Sequence, residues 1–150
     1  METWQEHIEN AKKHFKIADH MAYVTFTLLK ENRIMIKILM ELSEAISSLI
    51  KSFLYYEYSF KRINIYKDPK RNLKTFVESV APRYIDKKCV VDMINIIEIN
   101  KKHKQAPIEF VRRDKFVILL GEHYEILDVN RLKGFIGCVR KAIKSFPEQV

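Results

Sequence analysis

Apolar residues recur along the first sixty positions at alternating steps of four and three. Trp4, Ile8, Ala11, Phe15, Ala18, Ala22, Thr25 and Leu29 form one row, and Met35, Leu39, Leu42, Ile46, Leu49, Phe53, Tyr56 and Phe60 form another. Such steps hold a row on one face of a 3.6-residue helix, the kind of seam that packs helices at shallow angles. The step from Leu29 to Met35 is six residues, which breaks the phase. A turn near Lys30-Glu31-Asn32-Arg33 lets the rows fold back on each other. The pattern predicts an antiparallel helical hairpin over about residues 3–29 and 33–61. The small Ala11, Ala18 and Ala22 leave room there for bulky Leu42, Ile46 and Leu49.

Shorter elements follow. Asp68-Pro69 reads as an N-cap with proline in the first turn, opening a helix to about Val80 with Leu73, Val77 and Val80 inward. Ala81-Pro82 ends it. Asp86 caps the next helix, with Val90, Ile94 and Ile97 as its stripe and an end near Lys104. Ala106-Pro107 breaks the chain again, and Pro107 is expected to open one helical turn through Glu109 and Phe110. Residues 115–127 change character: two short apolar runs flank Gly121-Glu122, a two-residue turn with glycine first, which suits a type II′ β-hairpin. Asp128 caps a last helix whose Leu132, Ile136, Val139, Ile143 and Phe146 resume the 4-3 steps. The expected fold is mainly α, a single helical domain over residues 1–150. It is a bundle of one long antiparallel helical hairpin and three further helices, with a small β-hairpin before the last helix.

Composition sharpens this picture. Only three glycines and four prolines occur, so elements are long. The longest apolar runs, such as Phe116 to Leu120, fall far short of the roughly 18 residues of a membrane span. The N-terminus mixes Glu2, Glu6, Glu9 and Lys12 with its apolar residues, unlike a secretory signal. Two cysteines, Cys89 and Cys138, are too few for a disulfide scaffold. The expected setting is the cytoplasm, with both thiols reduced and buried.

The formal charge of +8 is uneven: residues 1–60 carry seven Lys/Arg against eight Asp/Glu, residues 61–150 twenty against eleven. A basic half points to an anionic partner such as nucleic acid. The counter-reading is codon bias, because 19 lysines and 19 isoleucines against 8 arginines match an AT-rich genome.

Much chemistry is excluded. Three scattered glycines cannot make a P-loop or a dinucleotide fingerprint. No Cys-x-x-Cys, His-Glu-x-x-His or EF-hand loop occurs, and no histidine has a glutamate three residues before it, as a di-iron bundle needs. His7, His14 and His20 share a helix but sit about two turns apart, too far for one ion. No cofactor and no metal are implied. Tyr55, Tyr56, Tyr58 and Phe60 could stack bases, though at helical spacing they read as core.

Three basic clusters remain: one around Lys61, Arg62, Lys67, Lys70, Arg71 and Lys74, one from Lys101, Lys102 and Lys104 through Arg112, Arg113 and Lys115, and one along the last helix. Paired arginines in a lysine-rich chain are the most informative, since a guanidinium is a forked, always-charged phosphate donor. The candidate nucleic-acid-binding set is therefore Arg112, Arg113 and Lys115, helped by Lys101, Lys102, Lys104, Arg62 and Arg71.

The stretches KIADHMAYVTFTLLK and KHKQAPIEFVRRDKFVI resemble a family of small, uncharacterised archaeal proteins, and the helical order is similar to HEPN-type bundles. HEPN proteins pair with nucleotidyltransferases or act as ribonuclease toxins. Their nuclease motif is arginine, four to six residues, then histidine. No pair here fits it, and the nearest, Arg113 and His123, has nine residues between. Three readings follow. The leading one is a non-enzymatic helical protein that binds RNA or a ribonucleoprotein through its basic C-terminal half. The others are a HEPN-like interaction module or ribonuclease, and a protein-protein adaptor that dimerises through the long helices.

Overall fold

A computed structural model describes residues 3–147. Helix α1 begins at Trp4, where the Thr3 side chain accepts the Glu6 N–H at 3.2 Å. It runs as Trp4–His20, loosens into a π turn at Met21–Thr25 and ends as Phe26–Leu29. In the π turn the Phe26 N–H reaches back five residues to the Met21 carbonyl. Lys30, at φ 50°, closes the helix. After a short turn, α2 spans Ile34–Ser59, about 39 Å at 1.5 Å per residue.

The two rows meet as expected. Ala11, Ala18 and Ala22 are fully buried opposite a row in which Met35, Leu39, Leu42, Ile46, Leu49 and Phe53 are also fully buried. Asn10 donates to Ser48 and His14 bonds Glu41, so partners fall along α2 as α1 rises, and the pair is antiparallel. The rows fail only at their ends. The extra residue of the π turn rotates Leu29 off the seam, and it stands 66% exposed. Phe60 lies past the end of α2 and is also exposed.

Asp68 caps α3 (Pro69–Thr75), which continues through a π turn, Phe76–Val80, and a 3-10 turn, Ala81–Arg83. Phe76 and Val80 face the core, with Leu73 and Val77 at its margin. Asp86 accepts the Cys89 N–H at 2.8 Å and caps α4 (Lys87–Gln105). The core stripe of α4 differs from the expected one. Val90 is buried, but Ile94 and Ile97 are only half-buried, and Met93, Ile96 and Ile99 fill the interior instead. The helix carries apolar residues on both sides of its phase, and packing against two neighbours chose between them. Asp128 caps α5 (Val129–Lys144), whose Leu132, Ile136, Val139 and Ile143 are buried, with Phe146 buried just past its end.

α1, α2, α4 and α5 alternate in direction. Ser43 meets Asn100 while Phe53 meets Tyr84, so α4 runs against α2. Cys138 donates to the Cys89 carbonyl and Lys102 meets Glu125 ahead of α5, so α5 runs against α4. Arg140 reaches Asp19 and Phe146 packs on Trp4, which closes α5 against α1.

Between α4 and α5 the chain forms three strands, β1 (Ile108–Arg112), β2 (Lys115–Leu120) and β3 (His123–Leu127), in antiparallel order β1-β2-β3. The hairpin at 115–127 is present, with Gly121 at φ 61° in its turn. The helical turn expected at Glu109 and Phe110 is instead a strand. Residues 108–112 alternate in side, and pairing with β2 satisfies their backbone. The connecting turn Arg113-Asp114 lacks the glycine or asparagine that signals such turns, and Arg113 itself takes φ 58°. Among the described residues no helix is long and apolar enough to cross a membrane.

Leu49 lies at 0% exposure in the seam, so Leu49→Ala should cost about 2–5 kcal/mol. Leu29→Ala, at the exposed end of the other row, should stay within about 0.5 kcal/mol of wild type. Urea denaturation of both variants checks the seam; equal losses would refute it.

Candidate nucleic-acid interface

Strand register sorts the meander into two chemically distinct faces. Cross-strand partners share a side, and residues two apart along a strand share it too. Phe110, Val117 and Ile126 therefore form one row of the outer face, and Ile108, Leu119 and Tyr124 the next. Arg112 and Lys115, paired across the turn, extend the same face. On the inner face Phe116, Ile118 and Leu127 are buried in the bundle core. The outer face is open: Tyr124 is 64% exposed and Ile108 54%, with Phe110 and Ile126 exposed beside the buried Val117.

The same alternation sends the strands' carboxylates inward. Glu109 takes a short bond from His103 Nδ1, and Glu125 accepts Lys102 at 3.1 Å and Arg131 at 3.2 Å. Burial alone would push the Glu125 carboxyl up; the Lys102 and Arg131 hydrogen bonds outweigh it and hold that carboxyl below its usual value. The outer face is left with two exposed aromatic rings and two cations, and with no carboxylate on the strands themselves.

The tip of β1–β2 is tied to the bundle. Asn32 Nδ2 donates to the Arg113 carbonyl at 2.6 Å, which fixes the left-handed residue against the α1–α2 turn. Between these turns and the start of α5 lies a cleft of about 730 Å³, lined by Phe26, Lys30, Arg113, Lys115 and Lys133, with Asp114 and Asp128 among its acids. Asp128 is engaged as a helix cap through the Arg131 N–H. Among the described residues no side-chain hydrogen bond or ion pair holds Arg112, Arg113 or Lys115. Glu109 on the same strand is held by His103.

The remaining sequence candidates fall elsewhere. Lys102 turns to Glu125 on the inner sheet face. Lys101 and Lys104 line a separate pocket between α2, α3 and α4. Arg62 follows the far end of α2, about 39 Å from the Asn32 turn. Its guanidinium bonds the buried Glu57 at 2.7 Å, which also takes Arg83 at 2.8 Å and the Tyr84 hydroxyl at 2.9 Å. Arg71 stacks 3.7 Å over the Tyr66 ring. The eight nominated residues thus do not share one surface. Arg112, Arg113 and Lys115 lie around the β1–β2 tip, joined by Lys133 of the last-helix cluster and by Lys30, Phe110 and Tyr124, which sequence reasoning passed over. The signal for the aromatics was present in the two-residue period of Ile108, Phe110 and Arg112.

Other sequence candidates are structural. His7 stacks on Tyr55 and His14 bonds Glu41. Among the described residues no group of three or more His, Cys, Asp or Glu is placed to hold a metal ion. Tyr56 packs with Trp4 and Phe146, while Tyr58 is exposed. Cys89 and Cys138 are both buried, and burial pushes both thiols up. Arg113 and His123 stand at opposite ends of β2, so they do not form a nuclease pair.

Compared with protein-family models, with curated proteins and with solved structures, the chain matches none. The likeness to HEPN-type bundles rests on the order of the helices alone.

Two predictions follow from the paired carboxylates. Arg62→Ala and Arg83→Ala should together destabilise more than the sum of the single variants, because only the double variant strips Glu57 of both guanidinium partners. Denaturation midpoints of the four proteins test this, and simple additivity would refute it. Glu125, held below its usual value, contributes stability that is present above the ordinary carboxyl range and lost as pH falls through its folded value. Glu125→Gln should therefore melt lower than wild type at neutral pH and show a shallower loss of stability on acidification.

Proposed function

We propose that this protein binds single-stranded RNA, or the exposed RNA of a ribonucleoprotein, on the outer face of its meander without catalysing a reaction. One observation carries the reading: the face presents Phe110 in the row next to Arg112 and Lys115 and Tyr124 one row further on, and both strand carboxylates point the other way. Exposed rings stack unpaired bases, and cations beside them meet the phosphates. The Cα positions of Phe110 and Tyr124 lie two strand spacings and two residues apart, about 12 Å, so the rings engage two separate bases. Arg113, Lys30 and Lys133 continue the cationic track into the cleft at the tip. Phosphate contacts carry little sequence information, so binding should be weakly selective.

The adaptor reading, dimerisation through the long helices, would use the apolar residues those helices leave exposed, such as Tyr23, Val24, Leu28 and Met40. It differs in its salt dependence. RNA binding should weaken steeply with salt, while an apolar protein contact should not.

The test is an RNA oligonucleotide titration at two salt concentrations, with melting curves run alongside. Tyr124→Ala should cost about 1–3 kcal/mol of affinity with the salt slope unchanged. Arg112→Ala should reduce the slope by roughly 0.7–1. Arg113→Gly separates charge from structure. It removes a cation while relieving a left-handed residue of about 1 kcal/mol, so RNA affinity should fall as the melting temperature holds or rises. Salt-independent affinity, or none, would overturn the reading, and cleavage of the RNA would select a ribonuclease instead.

A further inference from the structure

A cavity of about 440 Å³ lies between α2, α3 and α4, away from the sheet face. Ile50, Leu54, Leu73 and Ile97 give it an apolar wall. One side of that wall is fixed in place: Asn72 donates to the Tyr66 carbonyl at 2.7 Å and accepts the Tyr66 N–H at 2.8 Å, which clamps the start of α3 to the preceding loop. Pockets of this size with few polar groups in an apolar lining are the usual form of small-molecule sites.

Two observations specify the chemistry. Asn100 is 6% exposed, and its Nδ2 donates to Ser43 at 3.2 Å, leaving the buried Oδ1 without a partner among the described residues. A buried amide end left unpaired is costly, and a ligand that bonds it removes that cost. The rim is cationic. Lys51 and Lys104 have no acid partner among the described residues, and Lys101 reaches only Glu98 at 3.6 Å in a pair more than half exposed on both sides. Glu44 is the one carboxylate in the lining.

We propose that this pocket binds a small amphipathic anion. Its apolar body lies on Ile50, Leu54, Leu73 and Ile97, a hydrogen-bonding group reaches Asn100, and a carboxylate, sulfonate or phosphate meets Lys51 and Lys104. The assignment gives Lys104 a role away from the nucleic-acid face.

Anilinonaphthalene sulfonate carries all three features: fused rings, an anilino N–H and a sulfonate. Phenylnaphthylamine keeps the rings and the N–H and lacks only the charge. Fluorescence titration of the full chain should show one site that takes the sulfonate several-fold more tightly than the neutral dye. Replacing Lys51 and Lys104 together by alanine should lower sulfonate affinity by about 5-fold, as two exposed charge contacts imply, and leave the neutral dye unchanged. Ser47→Trp, at an exposed position in the lining, should block both dyes. Phe110→Ala with Tyr124→Ala should move neither. Sulfonate binding that survives Ser47→Trp in the folded protein, that disappears with the sheet variants, or that ignores the two lysines would overturn the proposal. Should Ser47→Trp not fold, the lysine pair decides alone, because both side chains are exposed.

Discussion

The close approach of α1 to α2 is the constraint on which the rest of the molecule depends. Ala11, Ala18 and Ala22 bring no side chain beyond a methyl group to the seam, so Leu42, Ile46 and Leu49 reach past the contact into a core shared with α4 and α5. A bulkier residue at any of the three would push the backbones apart and leave that core underfilled. The seam also decides where the chain turns. The π turn at Met21–Thr25 and left-handed Lys30 end α1, and the tight turn that follows sets Asn32 against the Arg113 carbonyl. The end of the helical hairpin thus becomes the support for the tip of the sheet.

The meander adds a second sorting rule, with a period of two. A three-stranded sheet on a bundle has one wet face and one dry face, and register allots side chains to them without exception. Here the dry face takes the aliphatic Ile118 and Leu127 together with Glu109 and Glu125, with Glu109 met by His103 of α4 and Glu125 by Lys102 of α4 and Arg131 of α5. Those pairs anchor the sheet to the helices. They also turn both strand carboxylates away from the face that carries Arg112 and Lys115. One arrangement secures the fold and sets the polarity of the exposed face.

Much of the fold was legible because its signals are local. The helical rows, the caps at Asp68, Asp86 and Asp128, and the Gly121 turn all depend on residues within a few positions. What was not legible depends on partners distant in the chain. β1 escaped notice because its turn places Arg113 in a conformation that sequence assigns to glycine, and only Asn32, 81 residues away, explains how it is held. The stripe of α4 was misread because the helix is apolar on more than one side. Glu57 gave no sign of being buried, since Arg62, Arg83 and Tyr84 converge on it from two later segments. Arg62 was nominated for phosphate on charge alone, and its nearest anion is inside the protein.

The placement of the arginines bears on the two readings of the positive charge. Codon bias accounts for abundant lysine but says nothing of where scarce arginines are placed. Five of the eight are engaged: Arg62 and Arg83 with Glu57, Arg131 with Glu125, Arg140 with Asp19 and Arg71 on the Tyr66 ring. A forked donor suits each of these, so the chain uses arginine where geometry is demanding. Arg33, Arg112 and Arg113 have no side-chain partner among the described residues. All three lie at one end of the molecule, where Asn32 ties the α1–α2 turn to the β1–β2 turn. A surface basic only through composition would scatter its unpaired arginines. Their convergence beside Lys30, Lys115 and Lys133, next to a sheet face whose strands carry no carboxylate, supports the proposal of a polyanionic partner.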